Sequence, residues 1–258
     1  MPKFSANLSF LYPELPFLER FAAAAADGFR AVEYAVPYVA PAEQLAALNT
    51  RHGLAQALFN LPAGDWDGGE RGIACHPDRV DEFRAGVDVA LRYAATLGCG
   101  KVNCLAGIAP PGVAREVLET TFVSNLEYAA PRFAAAGVGL LIEPINPRDI
   151  PGFYLTTAHH AEQVLAAVGS GNLQIQYDIY HQQVTAGDLI PTYEQLRHRI
   201  GHIQIADTPG RHEPGTGEIN YRFVLNELDR LGYDGWVGCE YRPLGGTSEG
   251  LGWMAPWR

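Results

Sequence analysis

Along this chain, short runs rich in apolar and β-branched residues alternate with longer stretches in which apolar side chains return at helical spacing. That alternation is expected of successive βα units around a parallel sheet. Strand-like runs begin at Phe4 (FSANLSF), Ala31 (AVEY), Leu54 (LAQALFN), Lys101 (KVNCLAG), Leu140 (LLIEPI), Leu173 (LQIQYDIYH), His202 (HIQIAD) and Trp236 (WVGCEY). Between them, Phe17, Phe21 and Ala25 follow Pro16 and stop at Gly28, and Val80, Phe83, Val87 and Ala90 form a stripe that runs out at Gly98. Val224, Leu228 and Leu231 do the same before Gly232. Proline suits a first helical turn and glycine a helix end, so these segments read as helices with marked boundaries. Pro131 interrupts a helical pattern from Val113 to Ala136 and predicts a kink or an early end, because proline lacks the N–H that the next turn needs.

Eight such units with no Pro/Gly-rich linker predict a single (β/α)8 TIM barrel over residues 1–258, close to the roughly 250 residues typical of that fold. Hydrophobic residues make up 47% of the chain, enough for one sizeable core. The alternative, an open doubly wound sheet with a nucleotide site, calls for a glycine fingerprint between a strand and a helix, and none stands in such a place.

A strand buried on both faces should be apolar throughout. The last four runs break that rule near their C-terminal ends, with Glu143 in LLIEPIN, Asp178 in QIQYDIYH, Gln204 in HIQIAD and Glu240 in VGCEY. Their recurrence once per βα unit places four oxygen-bearing side chains around the C-terminal mouth, where barrel enzymes keep their active sites. Strand residues two apart share a face, so Gln176, Asp178 and Tyr180 are expected to point together, as are His202, Gln204 and Ala206. One buried acid is commonly half of an ion pair; four polar groups in phase on successive strands are a functional site.

Converging carboxylates repel unless something positive lies among them. Oxygen donors of this kind suit a hard divalent cation, Mg²⁺ or Mn²⁺, better than zinc, which draws more His or Cys. Such a cation could chelate the adjacent oxygens of an α-hydroxy-carbonyl substrate, while Glu143 and Glu240, on non-adjacent strands, exchange a proton with neighbouring carbons. Without metal, the pair could still work if repulsion kept one of them protonated. His181 follows Asp178 by three residues and could bind a substrate hydroxyl or relay a proton. The Gly-rich loop RHEPGTGEIN offers Arg211 as a clamp for a substrate carboxylate. The long loop NLPAGDWDGGERGIA, expected to act as a lid, offers Asn60 and a second clamp, Arg71. His52, His76, His159, His160, His198 and His212 have no distinguishing spacing and are expected at the surface.

Lys and Arg total 19 against 29 Asp and Glu, a net charge of −10 that repels nucleic acid and anionic membranes. The cysteines Cys75, Cys99, Cys104 and Cys239 form no CxxC pair and are expected as reduced thiols. With no signal-like N-terminus and no apolar run long enough for a span, the expectation is a soluble cytoplasmic protein. A homo-oligomer is compatible with the sequence.

From FSANLSF through FNLPAGDW, GERGIA, LLIEPIN, DIPGF, QIQYDIYH, HIQIAD and EPGTGEINY to GWVGCEY, the chain resembles the hydroxypyruvate isomerases within the xylose-isomerase-like barrels. The resemblance implies interconversion of hydroxypyruvate and 2-hydroxy-3-oxopropanoate (tartronate semialdehyde). It also implies Glu143 and Glu240 as the proton donor/acceptor pair, and Glu143, Asp178, Gln204 and Glu240 as the metal shell. The Asp178–His181 spacing is similar to that of related sugar epimerases, where the His contacts substrate. The chain departs from the pattern at Gln204, where those epimerases carry His, and at Phe59, where a His often precedes the Asn of the third loop. Three rivals stand beside this reading: a 2-oxo-tetronate isomerase on the same site, an endonuclease for damaged DNA, and a non-catalytic binder of sugar acids.

Overall fold

The computed structural model describes residues 1–257. Eight strands, β1 (Lys3–Asn7), β2 (Ala31–Tyr34), β3 (Ala55–Asn60), β4 (Lys101–Cys104), β5 (Gly139–Ile142), β6 (Leu173–Asp178), β7 (Ile200–Ile205) and β8 (Trp236–Cys239), form one closed barrel in sequence order. All pairs are parallel, and β1 closes the ring against β8 with Phe4 beside Val237 and Ala6 beside Cys239. The strands are buried on both faces because helices cover the outside, so Val32, Leu140, Leu141, Ile142, Ile203 and Ile205 are fully shielded from solvent. The helices are α1 (Arg20–Ala26), α2 (Ala42–His52), α3 (Val80–Leu97), α4 (Arg115–Ala135), α5 (Ala158–Val168), α6 (Ile179–Thr185), α7 (Leu189–Leu196), α8 (Tyr221–Arg230) and α9 (Thr247–Gly250). The C-terminal turn packs on β1 through an edge-to-face contact of Trp253 with Phe4 at 5.1 Å.

Three expectations change. His160, expected at the surface, is buried on α5 with its Nε2 3.2 Å from Glu119 Oε2. Pro131 does not end its helix: α4 runs unbroken to Ala135. Leu126, Ala129, Ala130 and Phe133 bury one face on both sides of the exposed proline, and this packing outweighs the single backbone hydrogen bond that proline forfeits. The run QIQYDIYH is not one strand either. Asp178 ends β6 and caps α6, its Oδ1 accepting from Tyr180 N at 2.8 Å and His181 N at 3.4 Å. Tyr180 and His181 therefore leave from a helical first turn, and strand parity does not govern their direction.

The four cysteines are free and buried. Among the described residues, no helix is long and apolar enough to cross a membrane. The third loop is tied down over its second half, where Gly72 N donates to Ala63 O and Cys75 N to Ala106 O. Gly72 has a φ of +106°, and a Cβ there would strike the backbone of Leu105, so only glycine lets these two loops lie together.

Candidate active site

Glu143 directly follows β5, Asp178 ends β6, Gln204 is the penultimate residue of β7 and Glu240 directly follows β8. All four thus sit at the C-terminal ends of their strands. Glu143, Asp178 and His181 each place one ligand-capable atom within 4.8 Å of the others. His181 Nε2 lies 3.5 Å from Asp178 Oδ2 and 3.9 Å from Glu143 Oε1.

The loop after β7 brings Arg211 into this acid cluster. Its anchor is Asp207, fully buried, whose carboxylate accepts from the backbone N–H groups of Thr208, Gly215, Gly217 and Ile219 at 2.9–3.0 Å. The guanidinium is held between the rings of Phe10 and Tyr180, 4.8 and 5.1 Å from their centroids. Nη2 reaches Glu240 Oε2 at 3.0 Å and Asp178 Oδ2 at 3.5 Å, and Nη1 reaches Asp149 Oδ2 at 3.2 Å. Nε is buried without a hydrogen-bond partner.

One arginine does not balance these acids. Burial pushes the Glu143 carboxyl up to about 8; repulsion from Asp178 adds to this and Arg211 opposes it. Burial also raises Asp178 to about 6 against the pull of Arg211 and the two capping N–H groups. Glu240 is driven well above the usual carboxylate range by burial, with Arg211 opposing and Glu143 repelling. His181 is held well below its ordinary range by burial and by Arg211, and is neutral. Donors approach both of its ring nitrogens. Asn146 Nδ2 approaches His181 Nδ1 at 2.6 Å, while Asn146 Oδ1 is taken by Asp149 N at 2.9 Å. Nδ1 therefore accepts from Asn146, while Nε2 faces the Asp178 and Glu143 oxygens and also the Arg211 Nη2 donor at 3.3 Å.

One layer deeper, Glu33 of β2 is completely buried among four donors: Ser5, Asn7, His202 and Gln204. Burial alone would raise its pKa, but the charge of His202 and these hydrogen bonds outweigh it and hold Glu33 below the ordinary range.

The structure brings together Glu143, Asp178, His181, Arg211 and Glu240. Asn60 joins through Asn103, whose Nδ2 contacts Asn60 Oδ1 at 3.2 Å and Glu143 Oε2 at 3.0 Å. Gln204 lies one layer deeper in the barrel, giving Nε2 to Glu33 at 2.7 Å and accepting from Gln176 Nε2 at 2.6 Å. Arg71 stays with its own loop, stacked on Trp66 at 4.2 Å and donating to the carbonyls of Trp66 and Glu70. Phe59 is fully buried in the core against Tyr38. Glu33, Asn103, Asn146, Asp149 and Phe10 were not singled out from sequence. A polar residue inside a strand was the available signal for Glu33 and Asn103; the other three lie in loops and gave none.

A family model described as xylose isomerase-like TIM barrel matches residues 21–257. The hydroxypyruvate isomerase of Escherichia coli (strain K12) is 52% identical, with the whole of both chains covered. The 2-oxo-tetronate isomerase of Cupriavidus necator is 49% identical over 100% of this chain and 99% of that protein. A crystal structure titled AP endonuclease, family 2, from Brucella melitensis superposes with a TM-score of 0.97 at 44% identity over the whole of both chains. On this evidence, the chain belongs to the xylose isomerase-like TIM barrel family.

Proposed function

We propose that this protein is an isomerase that interconverts hydroxypyruvate and 2-hydroxy-3-oxopropanoate. The observation that carries the reading is Arg211 Nη2 bridging Glu240 and Asp178, with Glu143 beside the neutral His181 in the same cluster and both glutamates raised in proton affinity. Two carboxyls of this kind can be held at neutral pH with one protonated and one ionised, which an aldose–ketose exchange requires.

The ionised member of the pair removes a proton from C3 of hydroxypyruvate, and the C–H electrons form the C2=C3 bond of an enediolate. The protonated member then delivers its proton to C2. As C3 becomes the aldehyde, the hydroxyl proton passes from O3 to O2, a transfer that the His181 imidazole, beside Glu143 and Asp178, is placed to relay. Arg211, with its buried Nε–H free, receives the substrate carboxylate. Asn103 steadies Glu143 and links it to Asn60.

The donor set fits a hard divalent cation, Mg²⁺ or Mn²⁺. Glu143, Asp178 and Glu240 would supply carboxylate oxygens, Gln204 Oε1 keeps one lone pair, and the neighbouring Gln176 Oε1 is buried without a partner. A bound cation would offset the excess of acids and polarise the substrate carbonyl. Removal with EDTA is expected to lower activity and Mn²⁺ or Mg²⁺ to restore it; full activity in the stripped protein removes metal from the reading.

Metal binding should also depend on pH. Glu143 and Asp178 hold protons more tightly in the folded chain than in the unfolded one, where carboxylates titrate near about 4. The folded metal-free protein therefore carries the extra protons, and its stability falls as pH rises from about 5 to 8. A cation needs the ionised carboxylates, so the rise in Tm on saturation with Mn²⁺ should grow over the same window. A rise that shrinks toward pH 8 excludes these carboxylates as ligands.

A 2-oxo-tetronate offers the same reacting oxygens with one more carbon, and the Cupriavidus relative is named for that activity. Comparing kcat/KM on hydroxypyruvate and on 2-oxo-tetronates decides between them. Faster turnover of the longer acid replaces the substrate and keeps the mechanism; turnover of neither overturns the isomerase reading. The net charge of −10 and the excess of acids at the mouth favour a small anion gripped by one arginine over a nucleic acid backbone.

A further inference from the structure

Glu33, a further buried acid, takes no part in the reaction just described. Both oxygens of Glu33 are saturated: Oε1 accepts from Gln204 Nε2 at 2.7 Å and Asn7 Nδ2 at 3.2 Å, and Oε2 from Ser5 Oγ at 2.7 Å and His202 Nε2 at 2.8 Å. The β2–β3 register slips between Val32 and Glu33, and the β6–β7 register slips between Ile175 and Gln176. Irregularities of this kind re-aim side chains beside active sites. Here they lie at the two residues that bracket Gln204, with Glu33 on its nitrogen and Gln176 on its oxygen.

A glutamine amide is nearly symmetric in shape, yet only its oxygen can accept a hydrogen bond or bind a cation. Something must decide which end faces the site. We infer that Glu33 is a positioning residue that locks the Gln204 amide with its NH₂ group turned inward and its oxygen toward Gln176 and the acid cluster. A carboxylate with four donors around it offers the amide only acceptors, so the reverse orientation would set the Gln204 oxygen against the Glu33 oxygen. This inference deepens the proposed role of Gln204 as a cation ligand and rests on it for its consequence.

The test uses full-length protein with ¹⁵N-labelled glutamine side chains, the Gln204 NH₂ signal being assigned by its loss in Q204E. In the wild type these protons should exchange slowly with D₂O, since they are buried against a carboxylate. In E33Q they should exchange at least about tenfold faster, and the Kd for Mn²⁺ by calorimetry should rise about 10–100-fold. The double variant E33Q/Q204E moves the carboxylate from position 33 to 204, where glutamate presents an oxygen whichever way it turns. Its Mn²⁺ affinity should return to within about threefold of wild type. A purely structural role for Glu33 would leave the double variant as weak as E33Q. Should E33Q fail to fold, E33D keeps the charge for His202 but falls a methylene short of Gln204, and carries the same expectations. An unchanged Gln204 signal, or a double variant no tighter than E33Q, overturns the inference. Wild-type protein that binds no Mn²⁺ would sink the metal reading, while proton exchange still decides the orientation.

Discussion

Glutamine at position 240, or at position 143, should leave the barrel folded and lower kcat for isomerisation by about 10²–10⁴-fold, the range that a positioned acid or base supplies. Both side chains sit where burial already favours the neutral form, so an amide of the same volume costs little. Asn103 can still donate to the amide oxygen at 143. Because removal of a carboxylate with raised pKa relieves a desolvated charge, each variant should melt at or above the wild-type temperature near pH 8. Combining the two should cost far less than the sum of the single losses, since a proton relay fails once either end is gone. Turnover assays paired with thermal melts give both readouts. Near-normal turnover in both single variants refutes the pairing.

Much of this site was readable in advance because a polar side chain inside a doubly covered strand must have a purpose. Glu143, Asp178, Gln204 and Glu240 stood out against apolar neighbours, and the strand count placed them at one mouth. The same rule, applied to the first four strands, would have drawn attention to Ser5 and Asn7 in FSANLSF, Glu33 in AVEY and Asn103 in KVNC. All four are buried and hydrogen-bonded to this network. What no pattern carries is a contact made across the barrel. Asp149 reaches Arg211 from the loop after β5, and Phe10 reaches it from the loop after β1. Which of two loop arginines enters the site was equally illegible. Arg211 is aimed by the Asp207 hub, whereas Arg71 closes on Trp66 five residues away in its own loop. The helical turn at His181 was hidden because β-prone residues surround it, and the cap that ends the strand is itself one of the site acids.

The tightest steric constraint in the barrel interior is the close approach of β8 to Glu33. A Cβ built on Gly238 would overlap both oxygens of the Glu33 carboxylate. Neither side can yield cheaply. Gly238 is held in register between Ser5 of β1 and Gln204 of β7, and the carboxylate is pinned by Ser5, Asn7, His202 and Gln204. Alanine at 238 must therefore displace the acid and break at least one of its hydrogen bonds. Overpacking costs about 1–3 kcal/mol and an unmade buried hydrogen bond to a charge about as much again, so a loss of about 3–5 kcal/mol is expected. At about 2–4 °C per kcal/mol for a chain of this size, G238A should melt roughly 10 °C below wild type. Gly100 provides the control, since nothing lies within 4 Å of a Cβ placed there and its φ needs no glycine. G100A should stay within about 0.5 kcal/mol of wild type. The cost at 238 comes from the Glu33 carboxylate rather than from the loss of a glycine, so equal melting temperatures for the two alanine variants would mean that Glu33 does not occupy the barrel interior.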